Sequence, residues 1–205
     1  MIEYPHIEGS RQSGTFYVWG KLDGSNIRVE YTRKKGLAKF GRRNGLLDDS
    51  MPILKRSVPL IQQYEDALSR VLTKKRREWE RVTLFFEFWG PSSFAGYHPE
   101  TETQQVALID AAGPDGEFLL SRDFHDLFSE VVPTAPLLHV GPVGPEFFDK
   151  VRASQLEGMP FEGVVCKGAR DSRGRPAMFK VKSEAWYLRL KEHCNGDEAM
   201  FERLR

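Results

Sequence analysis

Residues 15–31 read TFYVWGKLDGSNIRVEY, and their pattern is the most informative in the chain about its fold. Residues 15–19 are rich in β-forming side chains, and residues 26–31 alternate between polar and apolar ones. These patterns predict two strands. The Lys-Leu-Asp-Gly tetrapeptide at 21–24 predicts a tight turn between them, and a plain hairpin turn is the ordinary structure for such a sequence.

Lys21 is a candidate nucleophile because the turn would hold its amine at the mouth of a cleft. Gly24 has no Cβ, so it would let the backbone approach a phosphate closely. A lysine attacks only when a useful fraction of it is neutral. A neighbouring cationic cluster or a bound metal would lower its pKa from about 10.4. Such a cluster must come from elsewhere in the chain.

The composition is that of one soluble globular domain. Of the 205 residues, 40% are hydrophobic and 29% are charged, and the net charge of +1 provides no general attraction for nucleic acid. Any phosphate-binding surface must therefore be local. No segment approaches the roughly 18 apolar residues of a membrane span, so we expect no membrane association. Cys166 and Cys194 lie outside any metal-ligand spacing, which predicts free thiols and a cytoplasmic, reducing environment in a bacterial, viral or other host.

Strands and helices are grouped along the chain rather than alternating. β-type runs occupy residues 82–89, 106–109, 118–120, 163–167 and 178–181. Helical patterns occupy residues 52–79, 123–132, 146–156 and 184–205. Pro59 interrupts the first of these, giving one or two helices, and Asn195-Gly196 divides the last into a pair. The Pro/Gly-rich residues 133–145 predict a loop. This grouping predicts an α+β domain built on antiparallel sheets.

Five further charged residues could complete a site around the lysine. Glu162 opens and Lys167 closes one strand, and Lys180 and Lys182 lie on one face of the next because side chains alternate along a strand. Paired lysines suit the α-phosphate of a nucleoside triphosphate, and Glu162 could hold the accompanying Mg²⁺. Glu87, a carboxylate in an apolar strand, needs a partner such as a ribose hydroxyl. Each feature taken alone is better explained by an ordinary turn or by a solvated strand face. Only their combination indicates a catalytic site.

Four segments in order resemble motifs I, III, IV and V of the covalent nucleotidyltransferases, the superfamily of ATP-dependent DNA ligases, RNA ligases and mRNA capping enzymes. They are residues 21–24, 86–90, 162–167 and 179–182. The resemblance implies that Lys21 accepts AMP, that Glu87 binds the ribose and that Val165 packs against adenine. The implied catalytic residues are Lys21, Glu162, Lys180 and Lys182, with Glu162 the ligand for Mg²⁺ or Mn²⁺. The implied cofactor-binding residues are Lys21, Asn26, Arg42, Arg43, Glu87, Val165, Lys167, Lys180 and Lys182.

Two details resemble phage-type nick-sealing RNA ligases. Asn26 stands where DNA ligases usually carry arginine, and residues 42–45 resemble the basic segment after motif I, in which Arg43 would touch the AMP phosphate or the nick. Two other details depart from them. Asp23 is similar to the DNA ligases, and residues 106–110 lack the aromatic side chain that often stacks on adenine.

The resemblance implies an ATP-dependent RNA ligase that seals 5′-phosphate and 3′-hydroxyl ends through a lysyl-AMP intermediate. It implies nucleic-acid ends or nicks as partners, with RNA favoured over DNA, and a monomer. Residues 1–182 would form the core and residues 183–205 a helical tail packed on it, which is too short for an OB domain. The alternatives are a minimal ATP-dependent DNA ligase, a GTP-using guanylyltransferase, and a non-catalytic end-binding module that has the ligase fold.

Four remaining features have ordinary interpretations. The run Lys74-Lys75-Arg76-Arg77 is better explained as a solvated helix end than as a nucleic-acid contact, and residues 33–35 as a charged hairpin end. In the loop of residues 92–98, which follows Glu87 closely and could line the cleft, His98 is expected at the surface. The last feature is a predicted packing face on the C-terminal helix, formed by Trp186, Tyr187, Leu188 and Leu190.

Overall fold

The computed structural model describes residues 1–7, 9, 12–91, 93, 98–170 and 176–205. Its strands are β1 (Gly14–Lys21), β2 (Ser25–Thr32), β3 (Gly36–Arg42), β4 (Gly45–Leu46), β5 (Arg81–Trp89), β6 (Gln105–Ala112), β7 (Leu137–Val143), β8 (Gly163–Arg170) and β9 (Pro176–Lys182). Its helices are α1 (Pro52–Lys55), α2 (Ser57–Gln62), α3 (Glu65–Lys75), α4 (Ser121–Phe128), α5 (Pro145–Arg152), α6 (Glu184–Cys194) and α7 (Glu198–Leu204). The named strands all pair antiparallel, which confirms the predicted fold class.

The two strands of residues 15–31 do not form a hairpin. β1 lies in a four-stranded sheet of order β7-β1-β8-β9, and β2 lies in a five-stranded sheet of order β4-β3-β2-β5-β6. The turn at 22–24 therefore carries the chain from one sheet to the other. A Cβ on Gly24 would lie 2.3 Å from the carbonyl oxygen of Phe88. Glycine is thus required at position 24 because the backbone passes close to β5, whereas the sequence analysis had assigned this close approach to a phosphate.

The four-stranded sheet has one apolar face and one polar face. Its apolar side chains pack with α5 in a core formed by Phe16, Val18, Val143, Phe148, Val151, Val164, Cys166, Phe179 and Val181. The alternate residues Lys180 and Lys182 line a cavity on the opposite face, as the period-two pattern predicts. Both cysteines are buried free thiols, as predicted.

The five-stranded sheet packs one face on helices and the other on the N-terminal segment. Ile27, Val29 and Tyr31 of β2 join the main core with residues of α2, α3 and α4. On the opposite face, the Tyr4 ring packs 5.1 Å from that of Phe85. The N-terminal segment therefore covers the part of this sheet that adjoins the cavity.

Residues 133–145, predicted to be a loop, contain β7. This strand lies at the edge of its sheet and pairs only with β1 among the described residues. A proline such as Pro142 is tolerated there because an edge strand has one side free of ladder hydrogen bonds. The prediction of a loop was wrong because a Pro/Gly-rich composition does not distinguish a loop from an edge strand.

Two further local predictions were wrong. Residues 118–120 form no strand, and Phe118 makes only an isolated bridge with Ala112. Residues 52–75 form three helices rather than one or two, with breaks at Arg56 and at 63–64 instead of at Pro59. Pro59 is tolerated in α2 because the first turn of a helix leaves its N–H groups unpaired.

The C-terminal helices form the predicted pair. Ser183 caps α6 by accepting a hydrogen bond from Trp186 N at 3.0 Å, and Asn195 ends it in the left-handed conformation (φ 45°). Trp186 and Leu190 are buried and Tyr187 packs beside them, as expected, but Leu188 is 62% exposed. The packing face therefore excludes Leu188. In the described residues, no helix has the length and apolar character needed to span a bilayer.

Candidate active site

A cavity of about 350 Å³ lies where the two sheets meet, within the size range of small-molecule sites. Eight of the predicted residues line it together with Lys21: Asn26, Arg43, Glu87, Glu162, Val165, Lys167, Lys180 and Lys182. Arg42, predicted with them, is exposed at the end of β3 and is not one of the lining residues. Side chains alternate along a strand, so neighbouring residues such as Arg42 and Arg43 project differently.

Two ammonium groups share one buried carboxylate in the cavity. Glu162 accepts a hydrogen bond from Lys21 Nζ at 2.8 Å and is ion-paired with Lys182 Nζ at 3.0 Å. The side chains of Glu162 and Lys182 are only 4% and 5% exposed, whereas that of Lys21 is 23% exposed. The Lys182 ammonium also lies 3.5 Å from the centroid of the Trp186 ring, a cation–π contact. Of the three, Lys21 is therefore the most accessible to a ligand.

Backbone register brings these three residues together. Gly163 pairs with Lys21 on one side and with Lys182 on the other. A Cβ at Gly163 would lie 2.2 Å from the Val181 carbonyl oxygen, and its φ of 135° also favours glycine. Glu162, one residue earlier, is thereby held between the two lysines.

The opposite wall comes from the five-stranded sheet. Asn26 and Glu87 are directly paired on β2 and β5, so both side chains project from one face into the cavity. Both amide atoms of Asn26 are buried without a hydrogen-bond partner in the described part of the chain. A buried amide in this condition requires a ligand or water partner.

Burial changes the protonation of two carboxylates in the cavity. Burial raises the pKa of Glu87 to about 7, with Glu162 and Asp23 adding to the rise against the opposing effect of Lys21. Burial and the charge of Glu162 likewise raise the pKa of Asp23 to about 6. Near neutral pH, Glu87 can therefore either donate a hydrogen bond to a hydroxyl group or accept one from it.

The lysines respond to burial in different directions. Burial lowers the pKa of Lys182 to about 8, and burial and the charges of Lys21 and Arg43 lower that of Lys180. Burial also lowers the pKa of Lys21, but Glu162, Glu87 and Asp23 together outweigh it and raise the value. The sequence predicted a lowered pKa for Lys21, but the protein's own groups raise it, because the charges nearest to Lys21 are carboxylates.

A second buried ion pair joins the two sheets beside the cavity. Lys167 Nζ lies 2.8 Å from Asp110 Oδ2 and donates to the Ile109 carbonyl oxygen at 2.7 Å. The Tyr4 hydroxyl donates to the same Asp110 oxygen at 3.2 Å. Lys167 is thus fully engaged within the protein, and its position supports the cavity wall formed by Ile109 and Val165.

Sequence reasoning missed Asp110 and both chain ends. Asp110 is a carboxylate in an apolar strand, the same signal that identified Glu87. Missed residues that line the cavity itself include residues 4–7 and 203–205, where no motif marked them. Ile109 lines the cavity in the strand where an adenine-stacking aromatic residue was expected and not found.

His98 is not at the surface as predicted. Its side chain is 9% exposed, with Nδ1 2.7 Å from Glu102 and Nε2 3.2 Å from the carbonyl oxygen of Asp23. The rest of the loop prediction concerns residues 92 and 94–97, which lie outside the described residues. His98 therefore helps to hold the turn that follows the candidate nucleophile.

The carboxylates do not form a self-contained metal site. Among the residues that the structure describes, no group of three or more His, Cys, Asp or Glu side chains could hold an ion. Mg²⁺, however, is commonly bound by one or two carboxylates plus substrate phosphates. Glu162 fits that mode, because it lines the cavity and its partners there are two lysine ammonium groups that could pair with the phosphates instead.

The cavity is strongly basic although the chain is nearly neutral. Seven cationic side chains line it, against the three carboxylates Asp23, Glu87 and Glu162; they are Lys21, Arg43, Lys167, Lys180, Lys182, Arg203 and Arg205. The net charge of the whole chain is only +1. The positive charge that binding of a polyphosphate would need is therefore concentrated at the cavity.

The fold is that of a ligase-type nucleotidyltransferase domain. The profile of the RNA ligase family matches residues 14–182, and the chain belongs to this family. No curated protein sequence matches the chain. Among solved structures, an archaeal ATP-dependent RNA ligase is similar with a TM-score of 0.68 and 19% identity over 98% of this chain and 55% of that one.

Two structures of mutants of Naegleria gruberi RNA ligase are also similar. The one with AMP and Mn has a TM-score of 0.60 and 17% identity over 84% of this chain and 50% of that one. The one with ATP and Mn has a TM-score of 0.61 and 17% identity over 91% of this chain and 59% of that one. At such identities the likeness shows the fold, and this chain spans little more than half the length of either structure.

Proposed function

We propose that this chain is an ATP-dependent RNA ligase that works through a lysyl-AMP intermediate on Lys21. The observation that carries the proposal is the accessible Lys21 ammonium 2.8 Å from buried Glu162, in a cavity where cationic side chains outnumber carboxylates. Membership of the RNA ligase family and the likeness to ligase structures with AMP or ATP support it.

In the first step, the Lys21 nitrogen forms a bond to the α-phosphorus of ATP and pyrophosphate leaves. Lys180 and Lys182 neutralise the charge that grows on the phosphate oxygens during displacement. Lys21 loses its proton to solvent before it attacks, and Glu162, its hydrogen-bond partner, orients the amine. In the two later steps, AMP passes to a 5′-phosphate, and a 3′-hydroxyl then displaces AMP to form the phosphodiester.

Mg²⁺ or Mn²⁺ would be held by Glu162 together with the nucleotide phosphates, and when bound it supplies positive charge that polarises the phosphate. Once Glu162 is so engaged, less of its charge acts on Lys21. The attraction that raises the pKa of Lys21 would then weaken, which favours the neutral, nucleophilic amine.

The remaining cavity residues fit the other parts of the nucleotide. Glu87 can exchange hydrogen bonds with the ribose hydroxyls, and Ile109 and Val165 offer apolar surfaces to the base. Preference for RNA rests on Asn26, whose amide has no hydrogen-bond partner among the described residues, and on Arg43, which also lines the cavity.

The protein is proposed to act as a monomer in a reducing compartment. Among the described residues, the large exposed hydrophobic side chains lie on five different elements or loops; they are Leu46, Ile53, Leu120, Val140 and Leu188. A stable dimer needs a larger apolar contact. Two buried free thiols are consistent with a reducing environment.

The covalent step can be tested with α-labelled ATP or GTP and Mg²⁺, followed by denaturing electrophoresis. We expect a label from ATP that survives denaturation and that is absent from Lys21→Ala. Lys39→Ala, which removes an exposed lysine of β3, is the control and should label normally. If the wild type acquires no label, the non-catalytic end-binding alternative is preferred. If Lys21→Ala labels as strongly as the wild type, the covalent mechanism on Lys21 is wrong.

The substrate can be tested with nicked duplexes that differ only in the 3′-hydroxyl strand. We expect faster sealing when that strand is RNA than when it is DNA. Exclusive sealing of all-DNA nicks would instead establish the minimal DNA ligase. Labelling from GTP but not from ATP would establish the guanylyltransferase.

A further inference from the structure

A second cationic site lies away from the cavity. Two basic segments that are far apart in sequence meet there, namely residues 33–35 after β2 and residues 74–77 at the end of α3. The Arg33 guanidinium donates to the carbonyl oxygens of Trp79 at 3.1 Å and of Arg76 at 3.2 Å, and also to that of Arg77. These bonds attach the turn between β2 and β3 to the end of the helix.

The contact creates a groove that we call the basic groove, lined by Arg33, Ser69, Arg70, Thr73, Lys74 and Arg77. Arg70, Thr73 and Lys74 are spaced by three and one residues on α3 and share one side of its last turns, and Arg77 follows just after the helix ends. No acidic and no large apolar residue is among the lining residues. The surface is therefore cationic and hydrogen-bonding throughout.

The cations of the basic groove lack ionic partners. In the described ranges, no carboxylate lies within ion-pair distance of Arg70, Lys74 or Arg77. The bond that Arg70 makes is to a backbone oxygen, that of Asp66 at 3.2 Å. The neighbouring Arg76 is paired with Asp123 at 3.8 Å, whereas the cations that line the groove have no such partner among the described residues. This local excess of positive charge favours an anionic ligand with many charges.

We propose that the basic groove binds the sugar–phosphate backbone of the nucleic acid whose end is joined in the cavity. This inference rests on the proposed ligase function and adds a site for the substrate. Arginine, lysine and threonine side chains are typical donors to phosphate oxygens. A protein or membrane partner would instead need exposed aromatic or aliphatic anchors, which the lining residues do not include.

The distance between the cavity and the basic groove sets the shortest nucleic-acid strand that can reach both. β2 runs from Asn26 in the cavity to Thr32, next to Arg33 in the basic groove. Seven residues of strand span about 23 Å at roughly 3.3 Å per residue. With phosphates spaced about 3.4 Å along a strand, the nucleic acid must extend at least about seven nucleotides from its reacting end.

Fluorescence anisotropy with nicked duplexes can test the site without requiring catalysis. We expect Lys74→Glu to weaken binding about tenfold when the arms are about 12 base pairs long, and less than about twofold when they are about four. Lys150→Glu is the matched control, because Lys150 is also exposed in the last turn of a helix, on α5. It should bind both substrates like the wild type.

Salt dependence is a second measurement. Replacing Arg70, Lys74 and Arg77 together by alanine should reduce the slope of log affinity against log salt by about 3, since each phosphate contact contributes about 0.9. Thermal unfolding checks that each variant is folded, and Lys74→Gln replaces Lys74→Glu if the reversal unfolds the protein. The proposal is wrong if the salt slope does not change or if Lys150→Glu weakens nucleic-acid binding as much as Lys74→Glu does. It is also wrong if Lys74→Glu weakens binding to anionic phospholipid vesicles but not to nucleic acid.

The labelling reaction separates this proposal from the proposed function. Lys74→Glu should acquire the labelled lysyl-AMP at the wild-type rate, because ATP occupies only the cavity. If the wild type does not label at all, the ligase function fails, and the anisotropy arms still decide whether the basic groove binds nucleic acid. If Lys74→Glu loses labelling while remaining folded, the groove is not an independent site and the inference is wrong.

Discussion

The cations of the cavity and those of the basic groove differ in what neutralises them. In the cavity, Lys21 and Lys182 share Glu162, and Lys167 is paired with Asp110. In the basic groove, the cations lie in water and have no paired carboxylate among the described residues. A charge removed from water must be paired, whereas an exposed one is screened by salt and can remain alone.

The difference in pairing determines what the cavity and the basic groove can each do. Paired, buried cations have fixed positions, so they can act on one phosphorus atom with defined geometry. Exposed cations attract any nearby phosphate and lose that attraction as salt rises. The cavity is therefore suited to chemistry, and the basic groove to holding a long substrate. Four predictions test the distinction.

The largest effect is expected when Glu162 is replaced by alanine. Lys182 would then keep a buried ammonium without its carboxylate, which should lower the free energy of unfolding by about 3 kcal/mol. Formation of the labelled adduct should fall by at least about 100-fold, because the carboxylate that orients Lys21 is lost. Urea unfolding and the labelling rate measure the two effects. Glu157→Ala, an exposed position nearby, is the control and should change neither.

A smaller effect is expected for Asp110→Asn. The Lys167 ammonium would retain the Ile109 carbonyl oxygen but lose its carboxylate, so the free energy of unfolding should fall by about 2 kcal/mol. Asp123→Asn removes an aspartate that is 52% exposed and should cost less than about 0.5 kcal/mol. Equal losses for the two variants in urea unfolding would show that burial of the pair does not matter.

A pH-dependent effect is expected for Glu87→Gln. The pKa of Glu87 is raised from 4.5 to about 7 in the folded protein, so the wild type loses stability as pH rises through that interval. The glutamine variant does not ionise and keeps this stability. We expect it to be more stable than the wild type by about 1 to 2 kcal/mol at pH 8, after allowance for partial exposure, with the difference vanishing below about pH 4.

Urea unfolding at several pH values measures this difference. Glu80→Gln, an exposed residue just before β5, should show no such trend. If the advantage of Glu87→Gln grew as pH fell, burial would not be the cause of the raised pKa.

The smallest effect is expected for the stability of the basic groove. Lys74→Ala should change the free energy of unfolding by less than about 0.5 kcal/mol, because its charge is exposed and unpaired. Lys182→Ala should cost several times more, since it removes one partner of a buried pair. Comparable costs in urea unfolding would remove the distinction between the two regions.

Most of the candidate site could be predicted from sequence because its signals are local. The alternation of a strand places Lys180 and Lys182 on one face whatever surrounds it, and both line the cavity. Glu87 could be predicted because a carboxylate within an otherwise apolar strand is also a local signal. The fold class followed from the grouping of strands and helices, and the family profile matches the region that the four motifs span.

The tertiary structure alone decided which distant segments meet. It separates β1 and β2 into different sheets, makes an edge strand of residues 137–143 and places Tyr4 in the cavity wall, hydrogen-bonded to Asp110. It also joins Arg33 to the end of α3, which turns two ordinary charge runs into one groove. The physical reason is that hydrophobic period and turn chemistry act over a few residues, whereas these contacts depend on the packing of the whole chain.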